Sequence, residues 1–122
     1  MTCRVSSDAP LPRILVVDAD ADEALLVEGY LREGLGGPEL PVSRALSAAD
    51  ARTALATDPP DVLLLDVRAH DAEALALLEE MRDAGSTVPT IVLTGRSNAE
   101  AALHAHRLGA AEVLVKPSLT PA

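Results

Sequence analysis

At 122 residues the chain is long enough to bury one core and too short for a second domain. A formal net charge of -9, with one tyrosine as the whole aromatic complement, excludes direct nucleic-acid binding of the kind that needs a basic face and stacking platforms. Cys3 is the only cysteine, so neither an intrachain disulfide nor a cysteine metal cluster can form, and the expected compartment is a reducing one, the cytoplasm.

Residues 1–12 lack an apolar core of signal-peptide length and read as a flexible leader, and no apolar run approaches the ~20 residues of a membrane span. The first strand is "RILVV", ending at Asp18; the first helix is "ADEALLVEGYLRE", with Ala24, Leu25, Val27 and Leu31 at helical spacing, stopped by the glycines of "GLGGP". "PVSRAL" reads as a short second strand. Ser47 then caps an alanine-rich helix running through Ala56, and "TDPPD" closes it before the strand "VLLL". After Asp66 come a loop, a helix from Ala72 to Ala84, the turn "GSTVP" and the strand "TIVLT". "SNAE" is a capping box opening the next helix, and "EVLV" is the last strand. Strands alternating with helices imply a parallel sheet covered on both faces, the α/β doubly wound class.

In an open parallel sheet, ligands bind outside the carboxyl ends of the strands. The residues closing the runs are Asp18, Asp66, Thr94 and Lys116. Two carboxylates, a hydroxyl and an ammonium at one edge suit a divalent cation and a phosphoryl group. Mg2+ would bridge the carboxylates and a phosphate oxygen, Lys116 would neutralise a second oxygen, and Thr94 would donate to a third. Asp66 would be the nucleophile.

These motifs, "ILVVD", "PDVLLLD", "VPTIVLTG" and "LGAAEVLVKP" in that order and spacing, make residues 13–117 resemble the receiver domain of two-component response regulators. The resemblance implies a flavodoxin-like sheet in the order 2-1-3-4-5. It implies Asp66 as phosphoacceptor, Thr94 as switch hydroxyl and Lys116 as phosphoryl contact. Mg2+ would be held by Asp18, Asp66 and the backbone carbonyl of Arg68, with Asp20 a further candidate ligand. The implied partners are a sensor histidine kinase or phosphotransfer protein, and an output domain in the full-length chain or a separate effector. A second copy of the chain is a further candidate partner, and neither nucleic acid nor membrane is expected. Such a module is no turnover enzyme; it phosphorylates itself at most.

Four positions depart from the family pattern. The acid expected directly after Asp18 is Ala19, the proline four residues past Asp66 is His70, the glycine of that loop is Ala74, and the aromatic of the last strand is Val113. Asp20 also reads as a helix N-cap, with Glu23 three residues on as in a capping box. His104 and His106, two apart on a helix, face different ways and do not chelate as a pair. Arg68 has two readings, an ion pair with the acids or an exposed loop arginine.

Two rival functions stay open at the level of sequence. Ala19 and Val113 favour a phosphate-independent pseudo-receiver that docks or dimerises. "VVDADAD" also fits the Asp-x-Asp of haloacid-dehalogenase-like phosphohydrolases, with Asp18 as nucleophile, although that reading leaves Asp66 unused. The family's fifth helix is missing from the pattern: residues 118–122, "SLTPA" after "VKP", read as a tail leading to a removed downstream segment.

Overall fold

The computed structural model describes residues 11–67, 72–95 and 99–115. Within them the chain runs β1 (Ile14–Val17), α1 (Ala21–Leu31), β2 (Val42–Ala45), α2 (Ala48–Thr57), β3 (Val62–Val67), α3 (Ala72–Asp83), β4 (Thr90–Thr94), α4 (Ala99–Arg107) and β5 (Glu112–Val115). The strands form one five-stranded sheet in the order β2-β1-β3-β4-β5, and every pairing is parallel. This is the flavodoxin-like arrangement implied by the sequence, and each predicted strand and helix is present to within a residue or two at its ends.

Side-chain alternation divides the strands between two cores. Leu15, Val17, Leu63, Leu65, Val67 and Val92 face α2, α3 and α4, where Ala51, Leu77, Leu78, Met81 and Ala105 close the packing. Ile14, Val16 and Leu64 face the other way, against Ala24 and Val27 of α1 and Leu40 of the following connection. Each fully buried Leu or Val contributes roughly 1.5–3 kcal/mol of transfer free energy, so the central strands β1, β3 and β4 are the most firmly held part of the molecule. The seam of α1 is narrower than the sequence suggested: Ala24 and Val27 are buried and Leu31 half-buried, whereas Leu25 lies off the stripe at 53% exposure.

Local chemistry sets the helix ends. Asp20, in extended conformation, caps α1 by accepting from the backbone N–H groups of Asp22 (2.9 Å) and Glu23 (3.2 Å). Ser47 does the same for α2 through Asp50 N–H at 3.1 Å. The "GLGGP" segment does not stop the chain at once. It winds as a π-helical turn, Arg32–Gly36, and then a 3-10 turn, Gly37–Glu39, before Leu40 enters the core. Helix α3 ends in a Schellman motif at Gly85 (φ 72), where Ser86 N–H reaches Met81 O at 2.9 Å and Gly85 N–H reaches Arg82 O at 3.1 Å. Between helices, Arg52 of α2 grips Glu80 of α3 with two hydrogen bonds of 2.8 and 2.9 Å. Those bonds hold the guanidinium above its ordinary pKa and the carboxyl below its own. Of the "SNAE" capping box, residues 97–100, Ser97 and Asn98 lie outside the described residues, while Ala99 and Glu100 open α4.

Candidate functional site

The carboxyl edge of the sheet is polar, although it is buried. Asp18 directly follows β1 and is 2% exposed; Asp66, the fifth residue of β3, is 5% exposed; Thr94 ends β4 at 0%. Register explains why they meet. Val17 pairs with Leu65, so one further step sets Asp18 beside Asp66, and alternation turns both toward the face covered by α1. Thr94 pairs with Val67, one residue beyond Asp66 on the neighbouring strand.

Asp18 is fixed at both ends of the residue. Its backbone N–H donates to Ala45 O on β2 at 3.0 Å, and its Oδ1 accepts from Asp20 N–H at 2.9 Å. The second bond folds the chain sharply from strand to helix, so the first turn of α1 starts over the strand end. Glu23 projects from that turn, and one carboxylate oxygen from each of Asp18, Glu23 and Asp66 lies within 4.8 Å of the other two. Sequence reading missed Glu23 because its spacing from Asp20 had a sufficient explanation as a capping box. The available signal was the shortness of the link: only three residues separate β1 from α1.

Charge makes this grouping demanding. At an effective dielectric of about 20, two carboxylates at such separations repel by roughly 3–4 kcal/mol, and there are three pairs. A divalent cation turns that repulsion into attraction. Oxygen ligands about 2.0–2.6 Å from a common cation lie no more than about 5 Å apart, so the donor set and its spread suit Mg2+ or a similar hard ion. Thr94 supplies a second indication of a ligand. Its Oγ1 is buried and has no hydrogen-bond partner among the described residues, a situation costing about 1–3 kcal/mol.

The remaining sequence candidates divide clearly. Asp20 is exposed and acts as the N-cap of α1; it is not in the three-carboxylate group. Ala19 is exposed in the link and offers no ligand. Val113 is half-buried in β5, paired with Val92, and packs on the core formed with α2, α3 and α4. Ala74 is buried in the first turn of α3 rather than in a loop. His104 and His106 are exposed on α4. Arg68, His70 and Lys116 lie outside the described residues.

Comparison with known proteins agrees with this arrangement. The family described as the response regulator receiver domain matches residues 14–121. The chain is 34% identical over 104 residues to the DNA-binding transcriptional regulator NtrC of Escherichia coli, covering 85% of this chain and 21% of that protein. It is 33% identical to the transcriptional regulatory protein PrrA of Mycobacterium bovis, covering 87% of this chain and 44% of that one. It therefore spans about a fifth of the NtrC length and less than half of PrrA. Among solved structures, the receiver domain of NtrX from Brucella abortus superimposes with a TM-score of 0.74 at 31% identity, covering 86% of both chains. A phosphohydrolase of the haloacid-dehalogenase type is set aside by these matches. A parallel sheet in this order, an acidic edge and a family match over nearly the whole length have one common meaning: the chain belongs to the receiver domains of two-component response regulators.

Proposed function

We propose that Asp66 is the phosphoacceptor of this receiver domain, taking a phosphoryl group from a phosphohistidine of a sensor histidine kinase or phosphotransfer protein. The observation that supports it best is the 5%-exposed carboxylate of Asp66, placed at the carboxyl edge of the sheet among the oxygens of Asp18 and Glu23. A carboxylate oxygen of Asp66 attacks phosphorus, the P–N bond to the imidazole breaks, and the electron pair leaves on the ring nitrogen, which is protonated. The product is an acyl phosphate on Asp66 and a neutral histidine on the donor.

Mg2+, when bound, would neutralise charge building on the transferring oxygens. Asp18 and Asp66 would hold it, with the backbone carbonyl of Arg68, two positions past Asp66, as a third donor. Asp18 is held in place for this by its bonds to Ala45 O and Asp20 N–H. Thr94 would donate its hydroxyl proton to a phosphoryl oxygen, which gives its buried Oγ1 a partner. Lys116, directly after β5, would contact another oxygen. The signal passes from Thr94 along β4 and α4 to an output domain or separate effector; Val113 is too small to add the ring movement of an aromatic.

A second reading, a phosphate-independent docking module, draws on Ala19 and Val113. One experiment separates the two. The chain is incubated with acetyl phosphate and Mg2+, and its intact mass is followed. The wild type gains the mass of one phosphoryl group and Asp66→Asn gains none, while circular dichroism shows the variant folded. Undiminished labelling of Asp66→Asn contradicts the assignment, and an unlabelled wild type favours the docking module.

A further inference from the structure

We infer that Glu23 supplies, from the first turn of α1, the third cation-holding carboxylate that position 19 lacks in this chain. The inference rests on the phosphoacceptor reading for its biological purpose, but the geometry that carries it is independent of phosphorylation. The link between β1 and α1 contains Ala19 where a receiver ordinarily has an acid, and Ala19 is exposed. The same link places Glu23 with one oxygen within 4.8 Å of oxygens of both Asp18 and Asp66. Three hard anionic ligands are thus present although one strand-end acid is missing.

The reach of the side chain fits its origin. A residue directly after Asp18 needs only a short side chain to meet the ion, whereas a residue in the first helical turn approaches from above and needs the extra methylene of glutamate. The turn itself is held firmly. Asp20 N–H is tied to Asp18 Oδ1 at 2.9 Å, the Asp20 carboxylate accepts from Glu23 N–H at 3.2 Å, and the adjacent Ala24 is 0% exposed against the sheet. Rotation of α1 that would carry Glu23 away from the edge would therefore break the cap and expose Ala24. Thr94 Oγ1, buried without a partner among the described residues at the same edge, is a separate sign that a ligand belongs there.

The test is a calorimetric titration of the 122-residue chain with MgCl2, with melting temperature as a second readout. Glu23→Gln keeps the size of the side chain and removes only its charge. Loss of a ligand should weaken Mg2+ binding at least ~10-fold, the effect already seen for lost outer-shell partners. The rise of melting temperature on adding Mg2+ should also be smaller for Glu23→Gln than for wild type. Adding Ala19→Asp to Glu23→Gln should restore affinity. A purely structural glutamate would leave the metal affinity of Glu23→Gln equal to wild type, and that result overturns the inference. So does a wild type that binds no Mg2+. Labelling of Asp66 by acetyl phosphate is read separately: if it persists while Glu23→Gln binds Mg2+ normally, the inference fails and the phosphoacceptor assignment stands.

Discussion

At the scale of single residues, four buried or half-buried oxygen-bearing side chains gather at one sheet edge, and each arrives there by a distinct route. Asp18 and Asp66 are brought together by register, Glu23 by the turn into α1, and Thr94 by the end of the neighbouring strand. Thr94 is the residue whose cost in the absence of ligand is clearest. Its hydroxyl is buried at 0% exposure with no partner among the described residues. Thr94→Val replaces that hydroxyl with a methyl group of similar shape, so the unliganded protein should become more stable, by up to ~1–3 kcal/mol. The same variant should hold the acyl phosphate without the proposed switch contact and fail to pass the signal on. Chemical denaturation without phosphodonor checks the stability and intact mass after acetyl phosphate checks the acyl phosphate; a large loss of stability in the unliganded variant would show that the hydroxyl already has a partner.

At the scale of elements, α1 matters most, because its first turn serves both packing and the site. Asp20 belongs to the packing role. Asp20→Ala should remove the cap and cost about 1 kcal/mol, while Asp20→Asn, which caps equally well, should be nearly neutral. If Asp20 acts only as a cap, Asp20→Asn also leaves Mg2+ affinity unchanged; thermal melting and metal titration of the two variants test this directly, and a loss of affinity in Asp20→Asn would make Asp20 a ligand. The strands and helices themselves were legible because buried parallel strands are short continuous apolar runs, and the helices between them carry caps and glycine stops. Asp18, Asp66 and Thr94 were legible for the same reason, since a polar residue closing an apolar run is easily seen. Glu23 was not, because a capping box already explains a glutamate three residues past an aspartate, and only the orientation of the turn shows where the carboxylate goes. The glycines after α1 were misleading in a smaller way: "GLGGP" announced a helix end, but the backbone uses that freedom to continue through wider and tighter turns to Leu40.

At the scale of the whole molecule, an all-parallel sheet collects the ends of its strands on one edge, so residues 18, 66 and 94, far apart in sequence, become neighbours without any dedicated long loop. The price of this convergence is a concentration of negative charge at that edge in a chain already at -9, and a divalent cation is the simplest means of offsetting it. No helix among the described residues is long and apolar enough to cross a membrane, and the family match over residues 14–121 accounts for nearly all of the chain. The claim on which the functional account depends is that Asp66 becomes the acyl phosphate. The most direct measurement is to treat the chain with acetyl phosphate and Mg2+, reduce the acyl phosphate with borohydride, and map the modified residue by peptide mass spectrometry. The account predicts homoserine at position 66 and a yield that falls when Mg2+ is chelated; homoserine at position 18, or no reduced residue, would contradict it.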